Sequence, residues 1–484
     1  QIFTKPKVED LLASIEKGVS TLFKLMLWQF KYSWKKWLGT LFVFTAAGIV
    51  LGFTFIGSFS TINAHLNNGR FNPVQFFAIP AIFGVITIIL IINGVTRLLI
   101  NSFSKDYQLW AVLGANPNQL SELVSGQMML ISLIGGTIGY LLSYPLTSSL
   151  YSWSCSTPGM KSFPHVTMYL SPQSFVFTIL SVGILTVIVS FGDARRIFVG
   201  KQKHFFKFRK IRKQGMSPVR YLFSFAGLLG LIYLYSLFFQ NPVQVQSMFS
   251  GKDDSLVGTY SNLFLLLTIV AIIAFSLLAP LILPFIVRLL FKITSHNHLK
   301  TFTTAYYNVL SKRSFLKSVI VPLFILILFT SYVTYLSIDL ANVSSRRDSS
   351  ELIAAFTLFL GAPFIIVLAN IISIAIISSS QRNESIYQLQ ILGFSFTDLL
   401  SEKCLEALLY AGVIFFVGIV NNTFLFEAIL RAAQNTGVTV KDNWFSIIYW
   451  PGVISIIAFL FIVIIDIAHI YRISTRNEVP EVIE

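Results

Sequence analysis

The sequence predicts an all-α integral membrane protein with about ten transmembrane helices, and three observations support this fold class. Hydrophobic residues make up 55% of the 484 residues, charged residues make up only 12%, and the mean hydropathy is +0.73. Apolar runs of about 20 residues, long enough to cross the hydrocarbon of a bilayer, recur along the chain. The basic residues gather between these runs. This composition excludes an ordinary soluble protein.

Ten apolar runs are the predicted transmembrane helices. They cover residues 39–62, 76–99, 126–147, 174–194, 221–239, 259–287, 318–338, 352–379, 406–425 and 447–469. In the sixth run, Pro280 and Pro284 predict a kink or an early exit from the membrane. We expect no cleavable signal peptide, because the first forty residues are polar or amphipathic.

The net charge of +15 has the distribution of a membrane protein rather than of a nucleic-acid-binding protein. With both termini placed in the cytoplasm, most Lys and Arg residues fall on the cytoplasmic side, most densely in RRIFVGKQKHFFKFRKIRK at 195–213. The exceptions are Arg70, Lys161, Lys252, Arg346, Arg347, Arg431 and Lys441. This asymmetry orients the chain, and it places 195–213 against anionic lipid.

Two segments recur at a shift of 279 residues. QLWAVLGANPNQLSELVSGQ at 108–127 overlaps in register with LQILGFSFTDLLSEKCLEALL at 389–409. Upstream, the same shift pairs Gln29 with Asn308 in two basic segments that precede apolar runs. A shared register in distant segments predicts an internal repeat.

We therefore predict two four-helix repeats joined by a two-helix insert. The segments are a cytoplasmic amphipathic elbow at 1–38, a first repeat at 39–196, a basic linker with the insert at 197–302, a second repeat at 303–476 and a tail at 477–484. Because the insert contributes an even number of spans, the repeats are parallel and related by an axis along the membrane normal.

The first recurring segment has the signals of a capped turn between two helices. Gly114 suits the left-handed position that ends one helix. Asn116 is suited to cap the next helix, Pro117 to occupy its first position, and Gln119 to complete a capping box at the third position.

The second copy builds the same turn from other residues. Gly393 ends the helix, Ser395 caps the next one, and Asp398 takes its third position. Phe394 and Leu399 have the spacing of a hydrophobic staple. Both copies thus predict a rigid helix, turn and helix projecting into the cytoplasm.

These features resemble the FtsX-like ABC permease family of MacB type, also called type VII. The first copy matches the family pattern at Asp106, Val112, Leu113, Gly114 and Ala115, with Gln127 where the family has a glutamate. The second copy keeps Leu392, Gly393 and Glu406. The resemblance covers both repeats and implies a multi-pass protein of a bacterial plasma membrane.

The ten-span layout with an insert looks most like the bacitracin-efflux-type permeases. Those proteins carry a large extracellular domain between the seventh and eighth spans, whereas this chain has only DLANVSSRRDSSE at 339–351. The resemblance implies mechanotransmission, in which a cytoplasmic ABC ATPase dimer docks at the two turns and its closure moves the permease.

The predicted coupling residues come from both turns. They are Tyr107, Trp110, Leu113, Gly114, Ala115, Asn116, Pro117, Leu392, Gly393, Phe394 and Ser395. Tyr107, Trp110 and Leu113 recur three apart, as do Ile386, Leu389 and Leu392, so each set forms a helix face that either docks on the ATPase or packs on neighbouring helices. No phosphate-loop motif occurs, so the chain is not predicted to be an enzyme or to bind a cofactor, and ATP and magnesium belong to the partner.

Ionisable residues in the spans are few, which weighs against a secondary transporter. Asp193, Asp466 and His469 lie at cytoplasmic ends of spans, where we expect the carboxylates to pair with Arg195, Arg196 or Arg472.

The sequence thus favours a permease subunit that exports or extracts amphipathic substrates such as peptides, lipids or antimicrobials, with antimicrobial peptide resistance as one expected role. The alternative is a mechanotransducer that transports nothing. It would couple an ATPase to an extracytoplasmic enzyme or to a sensor histidine kinase. The lipid bilayer is the other partner, and no nucleic acid is expected.

Overall fold

A computed structural model describes residues 37–64, 73–112, 115–156, 164–205, 218–249, 256–294, 300–339, 349–377, 385–386, 388–437 and 444–476. These residues form α-helices joined by short connections, and none of them lies in a strand. The all-α membrane fold is therefore confirmed. The predicted first elbow and the tail at 477–484 lie outside the described residues.

Five helices come from the first repeat and three from the insert. The first five are α1 (Trp37–Asn63), α2 (Pro73–Ser102), α3 (Ser104–Val112), α4 (Pro117–Ser156) and α5 (Pro172–Phe205). The insert contributes α6 (Pro218–Leu237), α7 (Pro242–Phe249) and α8 (Leu256–Thr294). The second repeat follows with α9 (Lys300–Ser311), α10 (Arg313–Asp339), α11 (Ser349–Ile377), α12 (Phe396–Thr436) and α13 (Phe445–Arg476).

Every predicted span falls on one of these helices. Among the described residues, eight helices are long and apolar enough to cross a membrane, and the shorter apolar stretches Tyr221–Leu237 and Gly361–Ile374 lie in α6 and α11. Helix α8 continues through Pro280 and Pro284, so neither proline ends the helix. Neighbouring helices α10 and α12 pack against α8, and such packing lets a membrane helix tolerate proline.

The interior of the bundle centres on α10. In its apolar window, 94% of the residues are buried, because α2, α8, α11 and α12 all pack around it. The outer helices α5 and α13 are the least enclosed, with 28% of the corresponding window buried in each. The exposed apolar faces of α5 and α13 are those expected to meet lipid.

Two glycine contacts between the repeats occur at equivalent positions. A Cβ atom placed on Gly39 of α1 would lie 2.9 Å from the carbonyl oxygen of Ser373 in α11. A Cβ atom on Gly94 of α2 would lie 3.1 Å from Oγ of Ser318 in α10. The shift of 279 residues carries Gly39 onto Ser318 and Gly94 onto Ser373, so one contact is the symmetry mate of the other.

A contact within each repeat obeys the same register. A Cβ atom on Gly139 of α4 would lie 2.7 Å from Cα of Gly48, and one on Gly418 of α12 would lie 3.2 Å from Cδ1 of Ile327. The shift carries the first pair onto the second. We therefore propose that the two repeats pack about a pseudo-two-fold axis, with the domain boundaries given above.

Helix α9 and the insert both attach to the second repeat. Helix α9 is a short amphipathic helix that packs beside α12, at the place where the sequence predicts the second elbow. Helix α8 packs against α10 and α12, and α6 packs on α8. Among the described helices, the insert therefore adds a layer to the second repeat.

Candidate functional site

The second turn, residues 389–398, ends one helix in a Schellman motif. Gly393 has φ +82°, the left-handed conformation that the sequence predicts for it. The amide of Gly393 donates to the carbonyl of Gln390 at 3.0 Å, and the amide of Phe394 donates to the carbonyl of Leu389 at 3.1 Å. These two bonds satisfy the last carbonyls of the helix and fix the direction of the chain.

A capping box starts α12, as predicted. Oγ of Ser395 accepts from the amide of Asp398 at 3.2 Å, and the Asp398 carboxylate accepts from the amide of Ser395 at 3.2 Å. Phe394 packs against a small apolar cluster that contains Leu399, which is the contact expected of the staple. The Lys300 ammonium of α9 reaches Asp398 at 2.9 Å and so ties the elbow to the turn.

The first turn, residues 110–119, shares two hydrogen bonds with the second turn. The amide of Ala115 donates to the carbonyl of Trp110 at 3.0 Å, which is the Phe394 to Leu389 bond shifted by 279 residues. The amide of Asn116 donates to Oε1 of Gln119 at 3.0 Å, one of the two reciprocal bonds of a capping box. Helix α4 begins at Pro117, as predicted. Leu113 and Gly114 lie outside the described residues.

The tip of the second turn exposes three apolar side chains. Leu392 is 74% exposed, and Ile391 and Phe396 are exposed beside it. Of the predicted helix face, Ile386 and Leu389 are instead buried, because they pack with Leu399 and with Ile470 of α13. An apolar tip that the fold leaves uncovered is typical of an interaction surface.

The helix that leads into the first turn packs its aromatic side chains inside its own repeat. Tyr107 is buried, and its ring packs edge-on against Trp110 at 5.8 Å and against Phe198 of α5 at 5.4 Å. Of the two roles predicted for this helix face, Tyr107 therefore has the second, which is packing on neighbouring helices. Trp110 is half-buried and packs on the same core. Among the described residues of the turn, the exposed side chains are those of Ala111, Asn116, Asn118 and Gln119.

A charge network lies beneath the second turn and consists of Asn308, Glu402, Lys403, Glu406, Tyr410 and Asp466. The Lys403 ammonium contacts Glu406 Oε2 at 2.6 Å and Glu402 Oε2 at 3.1 Å, and all three side chains are buried. Buried ions of opposite charge compensate each other only when they are paired this closely.

The charge network joins three helices. Nδ2 of Asn308 in α9 donates to Glu402 Oε1 at 2.6 Å, and the Tyr410 hydroxyl donates to Glu406 Oε1 at 3.3 Å. Asp466 of α13 is buried close enough to act electrostatically on Lys403. The base of α12 is thus bonded to α9 on one side and faces a carboxylate of α13 on the other.

The sequence interpretation missed this network. Asp466 is buried and interacts electrostatically with Lys403, and its predicted pairing with Arg472 involves a side chain outside the described residues. Asp193 pairs with Arg97 of α2 at 3.4 Å, whereas Arg195 and Arg196 are exposed, so the predicted pairing of Asp193 is wrong. The side chains of His469 and Arg472 lie outside the described part. The spacing of Glu402 and Glu406 in the sequence could have predicted part of the network, since a separation of four residues places both carboxylates on one face of a helix.

Among the described residues, no group of three or more His, Cys, Asp or Glu side chains could hold a metal ion. What the described site offers is two rigid turns at equivalent positions, one apolar tip, and a bonded base that connects the second turn to its neighbours.

Comparison with known families identifies one part of the chain. Residues 78–198 match the family described as FtsX-like permease C-terminal. The match runs from α2 to α5 and includes the first turn. A search of curated proteins found no match. The match supports the FtsX-like permease family, whose members are membrane subunits of ABC transporters that work with ABC ATPases.

Proposed function

We propose that the chain is the permease subunit of an ABC transporter that exports or extracts amphipathic substrates by mechanotransmission. The observation that carries the proposal is the pair of turns with the same bond, Ala115 to Trp110 and Phe394 to Leu389, in one register. A loop that only reconnects two spans needs no such construction. The family match at 78–198 supports the permease role.

In this proposal the tips of the two turns receive the two subunits of an ATPase dimer. At the second turn, Ile391, Leu392 and Phe396 insert into an apolar groove of the ATPase, since exposed apolar anchors supply most of the binding free energy in such contacts. At the first turn, the exposed side chains of Asn116 and Asn118 offer hydrogen bonds to the ATPase. The partner binds ATP and magnesium.

The movement then passes from each turn into the membrane. The Schellman motif and the capping box make the second turn stiff, so a push on Leu392 displaces the base of α12. Because the charge network bonds that base to α9, the displacement reaches α10, which follows α9 directly and occupies the middle of the bundle. In the first repeat, the Arg97 to Asp193 pair joins α2 to α5.

The finer features of the proposal follow the family resemblance. They are a bacitracin-efflux-type organisation, a role in antimicrobial peptide resistance, and a bacterial plasma membrane with both termini in the cytoplasm. The eight long apolar helices support a multi-pass membrane protein.

The test replaces the most exposed residue of the second tip. We expect Leu392→Asp to weaken binding of the ABC ATPase encoded beside the permease gene by about 30-fold, the effect of losing about 2 kcal/mol at an interface anchor. Stimulation of ATP hydrolysis should fall with it. Val243→Asp is the matched control, because Val243 in α7 is 73% exposed and lies far from the turns along the chain.

Both variants should stay folded and in the membrane. If Leu392→Asp bound the ATPase and stimulated it like the unaltered permease, the docking assignment would be wrong. Gly393→Pro is a second test. Proline is restricted to φ near −65° and cannot adopt the left-handed turn, so this variant should also lose ATPase binding and stimulation.

A further inference from the structure

The second repeat has a lateral groove that the turns and the charge network do not explain. The groove has a volume of about 590 Å³ and lies between α11 and α13, with α10 as its floor. Leu326 and Thr330 form part of the floor, Gly361 lies on the α11 wall, and Trp450 and Ile457 lie on the α13 wall. Ligand pockets commonly have volumes of about 300–1,000 Å³.

At the equivalent place in the first repeat, the described residues of α5 are packed against neighbouring helices. The shift of 279 residues carries Ser174 and Thr178 of α5 onto Val453 and Ile457 of α13. Ser174 and Thr178 are fully buried where α5 packs against α2 and α4, whereas Ile457 is 55% exposed toward the groove. Helices α11 and α13 scarcely touch each other. The opening is therefore a specific difference between the repeats.

The groove lies along the apolar part of its helices, which we expect to be inside the hydrocarbon layer of the membrane. On α13 the groove runs from Trp450 to Phe461, a length of about 16 Å at 1.5 Å per residue, or about half of the 30 Å hydrocarbon layer. Thr330 is the one polar side chain on its walls among the described residues. Such walls reject charged groups and water, because neither finds a hydrogen-bonding partner there.

We propose that this groove binds one acyl chain of a lipid that enters sideways from the bilayer, which makes lipids the substrate class of the transporter. The inference rests on the proposed function for its link to transport. A flexible hydrocarbon chain matches the groove in length, apolarity and depth. Trp450 lies at the end nearest the start of α13, where tryptophan is suited to the headgroup region.

Two substitutions fill the groove without disturbing its walls. A Cβ atom on Gly361 meets nothing within 4 Å, so Gly361→Leu projects into open space. Ile457→Trp fills the groove from the opposite wall. Gly230→Leu is the matched control, because the nearest atom to its Cβ is Val270 Cγ1 at 4.0 Å and it lies in α6, away from the groove.

The experiment places the full chain in nanodiscs with a phosphatidylethanolamine that carries a diazirine in the middle of one acyl chain. After illumination, labelled peptides are mapped by mass spectrometry. We expect labelling of the α11 and α13 walls to exceed that of the α6 face by about tenfold, the ratio that corresponds to 1.4 kcal/mol of preference. Labelling of the walls should disappear in Gly361→Leu and Ile457→Trp and persist in Gly230→Leu.

Equal labelling of the groove and of the α6 face would mean ordinary surrounding lipid and would overturn the inference. Wall labelling that persists in both filling variants would overturn it as well. The readout needs no ATPase, so its failure leaves the docking assignment intact. Conversely, normal ATPase stimulation by Leu392→Asp would refute the docking assignment and leave the labelling result standing.

Discussion

The bases of the two turns use different chemistry to hold the same backbone geometry. In the first repeat, Leu123, Val124, Gln127 and Ile131 are buried at the start of α4. In the second, the equivalent positions are Glu402, Lys403, Glu406 and Tyr410. Both turns keep the same Schellman bond, so the turn does not depend on what lies beneath it. What differs is how the base is connected to its surroundings.

An apolar base and a charged base differ in how they respond to damage. Apolar packing loses free energy in proportion to the atoms removed. A buried ionic network is stable only when it is complete, because removing one member leaves an uncompensated charge away from water. The second base is therefore the more sensitive of the two, and it is also the base that is bonded to the elbow helix α9.

The largest effect is expected when the only cation among the described network residues is removed. Lys403→Met should destabilise the protein by about 3–5 kcal/mol, since it leaves the buried carboxylates of Glu402 and Glu406 facing each other. Thermal unfolding of the purified protein measures the loss. Lys300→Met is the control, because its ion pair with Asp398 lies at the surface, where such a pair contributes little.

Restoring the first-repeat residues should recover part of that stability. The triple variant Glu402→Leu, Lys403→Val and Glu406→Gln removes three network charges together and leaves Asp466 as the one buried carboxylate of the network, so its loss should be smaller than that of Lys403→Met. If the triple variant unfolded as early as Lys403→Met, charge compensation would not be the reason for the loss.

The next largest change in stability is expected where helices of the first repeat are in close contact, and it contrasts with the open groove of the second repeat. Gly139→Ala should cost about 1–3 kcal/mol, because the added methyl would collide with the backbone of Thr45 and Gly48. Gly361→Ala should instead be neutral or stabilise by up to about 1 kcal/mol, since alanine favours helix and the space is open. Thermal unfolding of the two variants side by side checks the contrast. Equal losses would argue against the tight seam in the first repeat.

A smaller effect is expected at the second turn itself. Gly393→Ala should cost about 1–2 kcal/mol, because an L-residue is strained at φ +82°. Unfolding measurements would detect it, and the ATPase coupling should weaken in parallel as the turn loosens. A variant as stable as the unaltered protein would mean that the turn adopts another conformation.

The smallest effect concerns the helix cap. Ser395→Ala removes the side-chain oxygen that accepts from the Asp398 amide and should cost about 1 kcal/mol. Ser401→Ala is its neighbour control, because the exposed Ser401 hydroxyl donates to the Thr397 carbonyl inside α12 and does not cap the helix. Indistinguishable unfolding temperatures for the two variants would remove the cap from the account.

The local features of the fold could be predicted from sequence, because they depend on nearby residues. The ten apolar runs, the left-handed Gly393 and the Ser395 capping box are each encoded within a few residues or one helix length. The burial of the charged residues at the start of α12 could not be predicted in this way. Charged residues such as Glu402 and Lys403 at the edge of an apolar run are usually solvated. Their burial depends on α9 and α13, which lie far away in the sequence.

The same reasoning explains the partial success at the candidate site. Three-residue spacing identified an apolar face at Ile386, Leu389 and Leu392, but spacing alone does not say which part of a face another helix covers. Packing against Ile470 buries the first two and leaves Leu392 exposed. The groove was not predictable at all, because it results from the separation of α11 and α13.

The most direct test of the account is a contact map of the turns in the assembled complex. A photoreactive benzoylphenylalanine at position 392 or 118 should cross-link to the ABC ATPase, because both positions are exposed at the tips. The same group at position 389 should not, since Leu389 is buried three residues away. An intact complex in which neither tip cross-links to the ATPase, or in which position 389 reacts as well as position 392, would contradict the account.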